Sequence, residues 1–154
     1  MIAYAGDAGD ATIRRVANHT AGIPHHWQFF YSGEAYPAPP TEETLRRYGI
    51  IVRPPGDKYE YSNINYAALE KVIETRSGQD YAAYMRDRVF RPLGLAHTAI
   101  EPSAEMQPFI AAGYGQNGTR LRAFKTNYPG GADAYSSARD LIRFATLHLK
   151  EDLD

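Results

Sequence analysis

The chain has 154 residues, 44% of them hydrophobic and 23% charged. That suits one globular domain or a large piece of one, and it argues against wholesale disorder. With 17 basic and 18 acidic side chains, a formal charge of -1 and no cysteine, nothing supplies a long-range field for nucleic acid or an anionic membrane, a disulfide, a thiolate metal site or a cysteine nucleophile.

Met1 to Asp10 has no basic stretch and no apolar core, so it does not read as a signal peptide. No apolar run approaches the ~20 residues of a membrane helix. Residues 1–11 read as a lead-in, 12–150 as one helical region and 151–154 as a tail.

The first expected helix runs from Thr12, a good N-cap, to about Asn18, with Ile13, Val16 and Ala17 on one face. It is short enough to need tertiary packing. Gly22 and Pro24 stop it. An aromatic loop follows from Trp27 to Tyr36, ending in Pro37, Pro39 and Pro40. Thr41 is expected to cap a second helix, with Glu42 and Glu43 in the first turn and Gly49 at its end.

Pro54-Pro55-Gly56-Asp57 is a turn by composition, and Tyr59 to Tyr61 reads as briefly extended. The strongest helix starts near Ser62 or Asn63. Tyr66, Leu69 and Ile73 form one apolar stripe; Ile64, Ala68 and Val72 form its neighbour. So wide an apolar face predicts a helix largely enclosed by protein. Gly78 terminates it, Asp80 caps the next, and Pro92 and Gly94 end that one.

Residues 101–108 read as loop. Ala111–Tyr114 and Thr119–Ala123 flank Asn117-Gly118, a hairpin signal. Gly130-Gly131 reads as a tight turn. Ser137 and Asp140 open a last, broadly apolar helix to about Lys150. The sum is five helices and one hairpin: mainly α with a small β-hairpin, with too few strands for a sheet-centred enzyme. The 12 tyrosines outnumber 6 phenylalanines and 1 tryptophan. They fit amphipathic packing, or a polar cleft lined by phenols.

Three stretches carry a resemblance. Thr12-Ile13-Arg14-Arg15-Val16-Ala17-Asn18-His19-Thr20-Ala21-Gly22-Ile23-Pro24 is similar to "TIRHLLTHTSGLP". Pro55-Gly56-Asp57-Lys58-Tyr59-Glu60-Tyr61-Ser62-Asn63-Ile64-Asn65-Tyr66 is similar to "PGxxFxYSNxNY", continuing through Ser77-Gly78 and Phe90-Arg91-Pro92-Leu93-Gly94-Leu95. Gly130-Gly131 with Tyr135-Ser136-Ser137-Ala138-Arg139-Asp140-Leu141 is similar to "GGxxSTAxDLxRF". In order and spacing these resemble the serine β-lactamase and penicillin-binding-protein superfamily, in its class C-like branch with D-alanyl-D-alanine carboxypeptidases and esterases.

The resemblance implies the helical region of an α+β domain whose central sheet is largely missing here. It also implies an acyl-serine reaction on an amide or ester, built from Ser-x-x-Lys, Tyr-x-Asn and Lys-Thr-Gly or His-x-Gly. A serine hydroxyl needs a base, and the oxyanion needs positioned donors. Tyr61 would be the phenol partner of the serine oxygen, and Asn63 would hydrogen-bond the motif lysine and the substrate's acyl-side amide. A phenol ordinarily has a pKa of about 10, so only nearby cations would make Tyr61 a base. Gly130 and Gly131 would border the substrate cleft. No cofactor or metal is implied. The family is often periplasmic or extracellular.

The other two motifs are absent. The lysines are Lys58, Lys71, Lys125 and Lys150, and three residues before them stand Pro55, Ala68, Arg122 and Leu147, none a serine. Lys125-Thr126-Asn127 precedes Gly130-Gly131 and lacks the glycine, so Lys125 reads as a surface lysine. The expectation is an interior segment of the domain, inactive alone, whose uncovered helix faces self-associate or take a complementing fragment.

The residues themselves leave other readings open. Ser62 or Asn63 caps a helix and Tyr61 merely packs; His19 is a loop residue bonding backbone. His25 and His26 have no carboxylate at zinc-ligand spacing, and neither Gly-x-Ser-x-Gly nor a phosphate loop occurs. The alternative to a hydrolase part is a non-catalytic helical module that binds a peptide or protein.

Overall fold

The computed structural model describes residues 5–31, 33 and 35–149. The ends of the lead-in and tail, and Lys150 at the expected end of the last helix, lie outside the described residues.

Helix α1 (Ile13–Ala17) begins where Thr12 accepts the Arg15 N–H, and helix α2 spans Thr41–Tyr48. Helix α3 (Asn63–Ser77) ends at Gly78 with φ 68°, the left-handed terminator its sequence requires. Asp80 accepts the Ala83 N–H and opens α4 (Tyr81–Tyr84), which continues as a π-helical stretch over Met85–Phe90. Helix α5 is a single turn at Pro129–Ala132, and α6 spans Ala138–Leu147 behind Ser137, which accepts the Asp140 N–H. Strand β1 (Phe30–Tyr31) pairs antiparallel with β2 (Phe124–Lys125), Phe30 opposite Lys125 and Tyr31 opposite Phe124. Among the described residues no helix is long and apolar enough to cross a membrane.

The mainly helical architecture with a minimal sheet agrees with the sequence. Four details differ. Pro40, not Thr41, is the N-cap of α2, because the Thr41 hydroxyl is drawn inward to Asn127 and Glu70. The Asn117-Gly118 turn forms, with the Gly115 N–H donating to Thr119 O and the Leu121 N–H to Gly113 O, both at 2.9 Å, yet among the described residues the pairing goes no further than one bridge, Tyr114 to Arg120. That hairpin stays rudimentary because its flanks are exposed and have no layer to pack on. A short 3-10 turn at Gln107–Phe109 closes the loop that was expected to end at Pro108. Gly130-Gly131 lies in the α5 turn rather than a tight loop turn.

The main core gathers Val16, Ala21, Ile23, Ile64, Ala67 and Tyr128, with Leu45, Ile51 and Leu69 packed on it. Helix α3 is its centre and contacts α1, α2, α4 and α5. A second cluster of Phe90, Leu95 and Ile100 sits under the π-helical stretch. Lys125 is exposed on β2, as expected.

Enclosure is incomplete. On α3, Tyr66 and Val72 remain exposed. On α6, Leu141 is 58% and Ile142 66% exposed, with Phe144 beside them also open. Helix α6 is held instead by polar contacts at one side. Buried Asp140 accepts the His97 N–H at 2.7 Å and the Thr98 hydroxyl at 2.8 Å, and Arg143 donates to Leu93 O at 2.7 Å. An amphipathic helix secured only along its polar edge leaves its apolar stripe in water.

Candidate active site

The segment entering α3 is fixed from three directions. The Glu60 N–H donates to His19 O at 2.8 Å, the Ser62 N–H donates to His19 Nδ1 at 3.3 Å, and the Ser62 hydroxyl donates to Pro24 O at 2.9 Å. Ser62 occupies the N-cap position, but its side chain makes no bond to the helix amides. The capping interpretation of Ser62 therefore fails, because its hydroxyl is turned toward Pro24 O and its oxygen accepts none of the helix amides.

Tyr61 is half exposed and lines a cavity of about 310 Å3. Its ring centroid lies 4.5 Å from that of His19 and 5.8 Å from that of His25. Tyr66 and Tyr81 contribute two more phenols to the same cavity, and Gly130 and Gly131 form its floor with Pro129. Tyrosine thus serves both ways: three line the cavity, while Tyr128 is fully buried in the core.

Asn63 is 1% exposed and does not reach the cavity wall. Its Nδ2 is a buried donor with no acceptor among the described residues. Asn65, two residues on, donates from Nδ2 to Val16 O at 3.1 Å and so pins α3 to α1.

The two glycines are explained by crowding rather than by backbone conformation. A Cβ on Gly130 would stand 2.9 Å from Tyr66 O and from Glu70 Cβ. A Cβ on Gly131 would stand 2.7 Å from the Tyr128 ring and 3.0 Å from Asn63 O. Only glycine lets α5 press this closely on α3, and that places the floor directly over Asn63.

His19 was expected to be a loop residue bonding backbone, and it does bond backbone. It is also a cavity residue, which sequence reasoning missed. It is the one non-glycine among the described residues with positive φ, at 62°, a conformation that persists only when its surroundings hold it. Because Nδ1 accepts the Ser62 N–H, the neutral imidazole is the form that fits, and burial pushes its pKa below the ordinary histidine value. The signal in the sequence was its place inside a stretch already singled out, just before Gly22. Tyr66 closed the second matched stretch but was read there only as part of an apolar stripe, and Tyr81 carried no signal beyond the abundance of tyrosine.

The beta-lactamase family model matches residues 3–154. The chain belongs to the beta-lactamase family. Within that family it is 28% identical over 167 residues to the unguisins hydrolase ungD' of Aspergillus campestris, covering all of this chain and 31% of that protein. It is 32% identical over 93 residues to the teichoic acid D-alanine hydrolase of Staphylococcus aureus, covering 58% of this chain and 23% of the relative. Among solved structures, the D-alanine carboxypeptidase AmpC of Burkholderia cenocepacia superposes with a TM-score of 0.70 at 25% identity, over 92% of this chain and 38% of that one. The chain spans about a third of the length of the curated beta-lactamase relatives it matches. Its helices and two-stranded sheet are therefore a partial beta-lactamase fold.

Proposed function

We propose that this chain supplies one wall of the cleft of a serine hydrolase that acts through an acyl-serine on an amide or ester. Tyr61 is the phenol that exchanges a proton with the serine oxygen, and Asn63 is the carboxamide that orders lysine and substrate. Gly130 and Gly131 form the substrate-facing floor. The nucleophile, its lysine helper and the opposite wall come from polypeptide beyond these 154 residues, so the chain alone does not acylate.

The supporting observation is the pairing of a half-exposed phenol on a cavity with a buried carboxamide two residues along that lacks an acceptor. A lysine ammonium is only a donor, so it would engage the Asn63 oxygen. The Asn63 NH2 then remains for a carbonyl, and the Gly130-Gly131 floor has to shift in the complete domain for the carbonyl of an amide or ester to reach it.

A fluorescent penicillin and a p-nitrophenyl ester test this. The isolated chain should show no covalent label and no burst. The protein encoded by the gene together with its flanking sequence should label at a serine outside residues 1–154. Labelling of the isolated chain would end the claim of inactivity. Flanking DNA with no Ser-x-x-Lys would end the hydrolase assignment in favour of a non-catalytic binding module.

The open stripe of α6 bears on partners. With Leu141, Ile142, Phe144 and Leu149 exposed, the isolated chain is expected to bind an apolar dye and to sediment as more than a monomer. Adding a complementing fragment should abolish both. A sharp monomer without dye binding would show that α6 needs no cover.

A further inference from the structure

Glu70 is the buried titratable group that the proposed chemistry does not use. It sits on α3 at 2% exposure, directly behind the cavity floor. Its Oε2 accepts the Gly130 N–H at 2.9 Å, and its Oε1 lies 3.0 Å from the Thr41 hydroxyl. Its sequence neighbour Lys71 faces away and pairs with Glu42 and Glu74. No ion pair reaches Glu70 among the described residues.

Counting protons decides its state. The Thr41 hydroxyl has a single hydrogen and two oxygen neighbours, Asn127 O at 2.6 Å and Glu70 Oε1 at 3.0 Å. Asn127 O is a backbone carbonyl and cannot donate. If Thr41 gave its hydrogen to a Glu70 carboxylate, Thr41 and Asn127 would face each other at 2.6 Å as two acceptors. If it gives the hydrogen to Asn127, the shorter contact, then the 3.0 Å contact to Glu70 needs a hydrogen from Glu70. Oε2 already accepts from Gly130, so that hydrogen belongs on Oε1.

We propose that Glu70 is a neutral carboxylic acid whose proton, given to Thr41, fastens the Gly130-Gly131 floor to helix α2. The chain of donors runs Gly130 N–H to Glu70, Glu70 O–H to Thr41, Thr41 O–H to Asn127 O, linking α5, α3, α2 and the segment before α5. Asn127 closes the other side, donating from Nδ2 to Thr44 Oγ1 at 2.6 Å and to Pro39 O at 2.8 Å. Glu70 is thereby a positioning residue for the cleft floor; that role rests on the hydrolase assignment, whereas the protonation does not.

Burial independently pushes the Glu70 carboxyl up, against the opposing pull of the Gly130 N–H and Lys71. The other charged or titratable groups near it are Glu74 on α3 and Tyr81 on α4. A carboxyl raised in the folded state takes up a proton on folding. Its contribution is complete below the ordinary glutamate value of about 4.3 and declines as pH rises toward the folded value.

The test uses the whole chain with Glu labelled by 13C at Cδ. At pH about 6, well above the ordinary glutamate value of about 4.3, wild type should show one protonated carboxyl, by carbon shift and by its infrared carbonyl band. Glu70→Gln should lose that signal and still fold, since its amide can donate to Thr41 and accept from Gly130. The difference in stability between wild type and Glu70→Gln should shift toward Gln as pH rises from about 4 to 7. Glu70→Ala should lower the folding constant roughly 10- to 100-fold and move the Gly130 amide resonance. A fully ionised Glu70 at pH about 6, or a Gln variant that follows the wild-type pH curve, would overturn the proposal. Failure of the hydrolase assay would leave these readouts untouched, so the two failures are separable.

Discussion

Gly22→Ala should unfold this chain or bring it to the edge of unfolding. Gly22 has φ 73°, and a Cβ there would stand 2.3 Å from Arg53 O and 3.1 Å from Arg53 C. The left-handed conformation alone costs alanine roughly 1–2 kcal/mol. Relief of the clash is blocked on both sides. The Val52 N–H donates to Gly22 O at 2.9 Å and the Gly56 N–H to Thr20 O at 2.7 Å, so moving the segments apart breaks the bonds that align them. Overpacking of this kind adds roughly 1–3 kcal/mol. The total, roughly 2–5 kcal/mol, is a large share of the roughly 5–15 kcal/mol that holds a whole domain. Denaturant unfolding measures it. Gly78→Ala is the control: φ is 68°, yet nothing lies within 4 Å of the added carbon, so only the conformational cost should appear. Equal midpoints for the two variants would refute the crowding at Gly22.

Tyr61→Phe should abolish turnover in the complete protein without harming the fold. The ring contacts with His19 and His25 survive the change, and the residue is half exposed. The stability of this chain should therefore change by less than about 0.5 kcal/mol. Losing a positioned proton-transfer group lowers the rate by roughly 100- to 10,000-fold. Acylation by penicillin and turnover of a p-nitrophenyl ester should both fall in that range, with substrate affinity little altered. A loss of less than about tenfold would remove Tyr61 from the proton path.

Local chemistry made most of the fold readable. Thr12, Asp80 and Ser137 accept the amides their cap positions predict, and Gly78 ends α3 in the conformation only glycine adopts without cost. What could not be read locally depends on residues far apart. The β1–β2 pair joins Phe30 to Lys125, and no periodicity in either dipeptide announces it. Thr41 looked like a cap until Asn127 and Glu70 arrived to claim its hydroxyl. The same holds at the cavity: the motif pointed to Tyr61, which lines it, and to Asn63, which is buried beside it, while the contacts of His19 to Ser62 and of Glu70 to Gly130 could not be read locally. Gly130 and Gly131 looked like turn residues because both uses of glycine leave the same letter, and only the distance to α3 separates them.

The bond from Gly130 to Glu70 spans 60 residues of chain, which bears on how the protein is made. On the ribosome α3 emerges before α5, so the carboxyl of Glu70 stays hydrated and ionised until the 60 residues to Gly130 have been added. Docking of α5 then expels that water and loads the proton in one event. That docking step is thus coupled to solvent acidity, and a nascent chain halted before Asn127 would carry a charge in the place where the folded chain has none.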